Sequence, residues 1–178
     1  MMTVKLKTPV YPDDNIEAVE LPYGQGNFVM TLIMPKNPDK FNDYVLHFNW
    51  DVWQQIKQAL RPRQCIIGLP KLRFRFKSTL NAPLAKLGMG IAFSDRADFS
   101  RISSDQNLKI SRLIHQTFVE VNEKGTEAAA VTVSEVVSTS IHDPILTLTF
   151  DHPYLFVISE KSTDTILFMG KVLKPVWN

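Results

Sequence analysis

Apolar and β-branched residues gather in two short runs, Val19 to Leu21 and Phe28 to Met34, on either side of the turn-forming segment Pro22-Tyr23-Gly24-Gln25-Gly26-Asn27. This pattern predicts a hairpin of two buried strands, the second stopped by Pro35-Lys36-Asn37-Pro38-Asp39. Trp50, Trp53, Ile56 and Leu60 then recur at the spacing of one helix face, which predicts a short amphipathic helix. Lys71-Leu72-Arg73-Phe74-Arg75-Phe76-Lys77 alternates strictly, so a strand here puts its basic residues on one face and its apolar residues on the other. Asn81 to Leu87 is compatible with a short helix ended by Gly88, and Leu108 to Val121 predicts a long strand. After a polar, Ala-rich interval, Ile145 to Phe150, Tyr154 to Ser159 and Thr165 to Val172 predict three more short strands.

Strands therefore outnumber helices, and the expected fold class is mixed α and β. Several of the strands read as buried on both faces, which requires a covering layer. The chain supplies few helices for that layer, a first indication that these residues are part of a larger fold.

Composition adds exclusions more than directions. The chain has 178 residues, 44% of them hydrophobic and 21% charged, as expected of a soluble globular protein. A net charge of +2 does not by itself imply a nucleic-acid or membrane partner. The apolar stretches fall far short of the roughly 20 residues that span a bilayer. Lys5, Lys7, Asp13 and Asp14 break up the N-terminus, so no signal peptide is expected within it. The single cysteine, Cys65, excludes an internal disulfide, and its apolar neighbours Ile66 and Ile67 predict a buried, inert thiol.

His47, His115, His142 and His152 are far apart and match no metal-ligand spacing. There is no nucleophile elbow, no Gly-rich phosphate loop and no Cys-His pair with a third member. No enzyme activity and no cofactor are expected. From residue 52 to 94 the chain holds Lys57, Arg61, Arg63, Lys71, Arg73, Arg75, Lys77 and Lys86 and no acidic residue. Arg73, Arg75 and Lys77 are candidate contacts for a polyanion such as a sulfated glycan; a solvated strand face kept soluble by its charges is the alternative.

The interval before the last three strands contains Phe118-Val119-Glu120-Val121-Asn122-Glu123-Lys124-Gly125-Thr126-Glu127-Ala128-Ala129-Ala130-Val131. This segment resembles the hinge of inhibitory serpins. In serpin order around it stand Glu20-Leu21-Pro22-Tyr23, Leu69-Pro70-Lys71, Leu87-Gly88-Met89 with Ala92-Phe93-Ser94, Ser111 with His115, Asp151-His152-Pro153-Tyr154-Leu155-Phe156, and Leu167-Phe168-Met169-Gly170-Lys171-Val172. The resemblance runs from Met1 to Pro175. It departs from the common pattern at Leu72, Gln116 and Tyr154, none of them in the hinge.

The resemblance implies that residues 1–178 are the C-terminal part of a single serpin domain, with a reactive centre loop at about 124–143 and the N-terminal half absent from this chain. Phe74 to Leu80 and Lys109 to Val121 would then be two strands of the main sheet. The implied function is serine-protease inhibition by a suicide-substrate route: a target protease forms an acyl complex at the loop, and the cut loop enters the sheet. Counted from Glu123 as inhibitory serpins space it, the resemblance implies a scissile bond at Thr139-Ser140. The implied hinge comprises Glu123, Gly125, Thr126, Glu127, Ala128, Ala129 and Ala130. The family suggests an extracellular or secreted protein, with a cytoplasmic location also open.

The loop residues suit that role independently. As a strand, Thr126, Ala128, Ala130, Thr132, Ser134 and Val136 share one face, all small and uncharged, while Glu127 and Glu135 fall on the other. The same stretch also fits an exposed helix capped by Thr126, although Val131, Thr132, Val133, Val136 and Val137 favour extended structure. Val136, Val137, Ser138 and Thr139 point to elastase-like targets, and the absence of Lys and Arg between Gly125 and Phe150 disfavours trypsin-like ones. A non-inhibitory carrier or chaperone-like serpin and an inactive truncated module remain alternatives.

Overall fold

A computed structural model describes residues 1–103, 108–122 and 145–174. The chain divides into two compact units, one of Met1–Leu72 with Glu120–Asn178, the other of Arg73–Val119.

The first unit is built on a seven-stranded sheet. Its strands are β1 (Met2–Pro12), β2 (Ile16–Tyr23), β3 (Phe28–Pro35), β4 (Arg61–Leu69), β7 (Leu146–Thr149), β8 (Tyr154–Glu160) and β9 (Ile166–Val172), in the spatial order β7-β4-β1-β2-β3-β8-β9. The expected hairpin is present as β2 and β3, in register from Ile16↔Pro35 to Tyr23↔Phe28. Gly24 and Gly26 both take positive φ, 52° and 88°, which a side chain would resist, and this lets the chain reverse within the turn.

Alternation divides the strand residues between two faces. Ile16, Ala18, Ile33, Leu155 and Val157 pack with Phe41, Trp53 and Ile56 of two covering helices, α1 (Phe41–His47) and α2 (Trp50–Ala59). Val19, Leu32 and Phe156 lie on the opposite face and are buried as well, so the expectation of two-sided burial holds for β2, β3 and β8. The Asn49 side chain caps α2 by accepting from the Val52 amide at 3.0 Å. Glu20, buried on the helix-facing side of β2, is met by the ammonium of Lys57 from α2. Lys57 also reaches Asp164 at 3.4 Å and lies 5.4 Å from the Trp53 ring centre. Two charges this well buried are tolerable only as a pair.

The second unit holds most of β5 (Leu72–Thr79) and β6 (Ile114–Val121), which pair as a separate two-stranded sheet. Between them run α3 (Asn81–Leu84), a π-type turn at Ala85–Met89 and a 3-10 turn at Gly90–Phe93. Gly88 ends the helical stretch with φ of 101°.

Four elements depart from the sequence expectations. β6 begins at Ile114, not Leu108, because loop partners occupy the backbone before it: the Ile110 amide donates to the Ala92 carbonyl at 3.0 Å and the Leu113 amide to Asn81 Oδ1 at 2.9 Å. β1 and β4 were not anticipated as strands. They pair in an unbroken antiparallel register from Met2↔Leu69 to Val10↔Arg61, a contact between residues 51 to 67 positions apart that local pattern does not reveal. α1 was also unanticipated; it contributes one buried side chain, Phe41, too few for a periodic signal.

Candidate functional site

The β5–β6 sheet follows from the alternation in Lys71 to Lys77. Arg73, Arg75 and Lys77 are exposed on one face of β5, while Leu72 is buried and Phe74 partly buried on the other. The guanidinium carbons of Arg73 and Arg75 lie 5.9 and 5.4 Å from the ring centre of Phe118 on β6. Phe118 is half exposed, so an aromatic ring sits among the basic side chains rather than on the apolar face. A cation this close to an aromatic ring contributes about 0.5–1 kcal/mol at an exposed site. Sequence reading identified the three cations but missed Phe118. The signal was parity in β6, where Gln116, Phe118 and Glu120 alternate against Thr117, Val119 and Val121.

On the apolar face, the Phe76 ring lies 6.4 Å from the His115 ring, and His115 Nε2 is 2.8 Å from Thr117 Oγ1. β6 ends at Val121, and Asn122 donates to Glu120 Oε1 at 2.7 Å as the chain leaves the strand. The next residue is Glu123. The hinge residues Glu123, Gly125, Thr126, Glu127, Ala128, Ala129 and Ala130, and the bond Thr139-Ser140, lie outside the described residues.

Other sequence motifs are brought into contact. Phe156 of β8 and Gly170 of β9 are cross-strand partners, and a Cβ on Gly170 would lie 2.7 and 2.8 Å from two Phe156 ring carbons. The glycine is therefore the space that the ring fills. Asn81 ties α3 to the segment before β6, donating to the Ser111 carbonyl at 3.0 Å while accepting from the Leu113 amide.

Among the described residues, no three His, Cys, Asp or Glu side chains cluster as a metal site. Cys65 is fully buried and donates to the Leu6 carbonyl, and burial pushes its thiol pKa up, so it is held as the unreactive thiol. No helix of the described residues is long and apolar enough to cross a membrane.

The family described as "Serpin (serine protease inhibitor)" matches residues 1–175. Iripin-2 of Ixodes ricinus is 35% identical over 173 residues, 97% of this chain and 43% of that protein. A serpin-like protein of Methanosarcina acetivorans is 40% identical over 169 residues, covering 88% of this chain and 37% of its own length. Among solved structures, uncleaved ovalbumin superposes with a TM-score of 0.82 at 23% identity, over 98% of this chain and 44% of that one, a likeness of fold. The thermophilic serpin tengpin in its native state gives 0.79 at 28% identity, over 97% of this chain and 46% of the other. The chain thus spans less than half the length of these relatives. With its family matched across nearly every residue and its fold shared with solved members, this chain belongs to the serpin family.

Proposed function

We propose that residues 1–178 form the C-terminal part of a single serpin domain, and that the complete protein inhibits serine proteases as a suicide substrate. The observation that carries this reading is the hinge, Glu123 to Ala130, which follows directly on the end of β6. Loop insertion beside such a strand is an established property of serpins, not something read from these residues. What this chain contributes is suitability: inserted as a strand, its loop would bury small uncharged side chains on one face and leave Glu127 and Glu135 on the other.

Speed is the physical requirement. Proteases turn over at roughly 1 to 1,000 per second, and insertion must outrun deacylation on that scale. Gly125 and the small residues after it would enter the sheet without forcing a wide gap. In this reading Thr139 precedes the cut and Ser140 follows it. Val136, Val137, Ser138 and Thr139 suit the shallow specificity pocket of an elastase-like target.

The test is to mix the complete protein with an elastase-type serine protease and examine the products by denaturing gel and intact mass. The expected result is a denaturant-resistant adduct and a released peptide beginning at Ser140. Clean cleavage without adduct would favour a carrier or chaperone-like serpin. Thr126→Arg places a charge on the face to be buried and is expected to convert inhibitor to substrate; an adduct that persisted in this variant would refute the burial account.

A second property, compatible with inhibition, is polyanion binding at Arg73, Arg75 and Lys77. The favouring observation is their common exposed face around Phe118. Retention on a sulfated matrix, lost on raising salt and weakened by Arg75→Ala, is the expected outcome.

A further inference from the structure

One histidine joins the β7–β8 connection to the end of β3. The β3–β8 ladder runs out at Ile33↔Leu155. Beyond it, the Pro35 carbonyl at the end of β3 lies 2.8 Å from His152 Nε2. The other ring nitrogen, Nδ1, is 2.8 Å from Asp151 Oδ1. Both oxygens are acceptors without a proton to give, and a neutral imidazole carries only one N–H. The imidazolium form alone satisfies both contacts.

The surroundings favour that form. Glu17 of β2 adds a second carboxylate whose charge attracts the ring. Lys36, just after β3, is the cation set against Glu17, and Asp151 completes the group of charges around this corner. The His152 side chain retains 24% of its exposure, so solvent can exchange its proton.

We propose that His152 is a proton-operated latch, closed across the Pro35 carbonyl and the Asp151 carboxylate when the ring is doubly protonated, and half released when it gives one proton to solvent. On deprotonation the remaining N–H stays at Nδ1, because a carboxylate is a stronger acceptor than a carbonyl. The bond lost is then the one to Pro35, and the β7–β8 connection is freed from the end of β3. Burial works against the charged ring, but the hydrogen bonds to Asp151 and Pro35, with the attraction of Asp151 and Glu17, outweigh it and raise the His152 pKa. A pKa raised on folding contributes stability in full below the unfolded value, and that contribution is lost as pH rises through the folded value.

The device is tested by 15N-edited NMR titration of the histidine rings in the complete protein, with His152→Gln identifying the resonances. Both ring nitrogens are expected to be protonated at about pH 6, with a midpoint above the ordinary value of about 6.5. Asp151→Asn and Glu17→Gln should each lower the midpoint, and above it the Nδ1–H tautomer should dominate. The difference in melting temperature between the parent and His152→Gln should shrink as pH rises through the midpoint. A midpoint at or below the ordinary value, one unmoved by Asp151→Asn, or a neutral ring protonated at Nε2 would overturn the proposal. The Asp151→Asn arm reads the latch even if His152→Gln folds poorly.

Discussion

Gly170→Ala adds one methyl group at the most constrained glycine among the described residues. Its Cβ would lie 2.7 Å from Phe156 Cε1 and 2.8 Å from Cζ, well inside normal carbon contact. The Phe156 ring has little room to yield, since it is buried at 4% exposure and its backbone is paired with Leu32 on one side and Gly170 on the other. Overpacking of this kind costs about 1–3 kcal/mol. Gly170 is not among the residues of positive φ, so alanine accepts its backbone and recovers about 0.4–1 kcal/mol from the unfolded chain. The net expectation is a loss of about 1–2 kcal/mol, read as a lowered melting temperature and urea midpoint of the complete protein. Thermal and urea unfolding of the parent, Gly170→Ala, Phe156→Leu and the double variant measure this. Leucine removes the ring carbons that the methyl would strike, so the double variant should be more stable than the sum of the single losses by about 1 kcal/mol. Strict additivity, or a Gly170→Ala variant as stable as the parent, would show that this close approach does not set the requirement for glycine.

Two further predictions concern charged groups of the first unit. Lys57→Met leaves the Glu20 carboxylate, 6% exposed, without its ammonium partner and should cost about 3–5 kcal/mol in urea unfolding, whereas Lys57→Met with Glu20→Leu should recover most of that loss; equal costs would mean that the pair is not the source. Glu160, the last residue of β8, accepts from the Thr163 and Ser162 hydroxyls at 2.7 and 2.9 Å and from both of their amides in the turn that follows, which holds its carboxyl pKa down to about 2. Any stability this depressed pKa brings is present above the unfolded carboxylate value of about 4.3 and lost as pH falls through the folded one. A carboxyl titration by NMR should find the low midpoint, and Thr163→Val should raise it; a midpoint near 4.3 in the parent would refute the turn geometry.

Much of this protein was legible from local pattern, and the reason is period. The run from Lys71 to Lys77 alternates so strictly that strand and faces follow from the backbone alone, and β5 bears this out. The hairpin of β2 and β3 and the helix α2 are likewise short-range, set by a glycine turn and by Trp53 and Ile56 one turn apart. The motifs that carry the family resemblance are also local strings, and the family match across residues 1–175 agrees with them.

What only tertiary structure decided is pairing and neighbourhood. β1 alternates polar and apolar residues but is made a strand by β4, and the residues before β6 are withheld from a strand because Ala92 and Asn81 take up their amides. Phe118 joined the basic face because two strands distant in sequence lie side by side, and Glu20 found Lys57 across a helix-to-sheet contact. The latch at His152 needs the Pro35 carbonyl, 117 residues away. Composition and periodicity record what each residue prefers to face; they hold no record of which distant segment supplies that face. For the same reason the hinge-like run Glu123 to Ala130 is a resemblance carried by the letters alone, whereas the apposition of Phe156 and Gly170 needs β8 and β9 side by side.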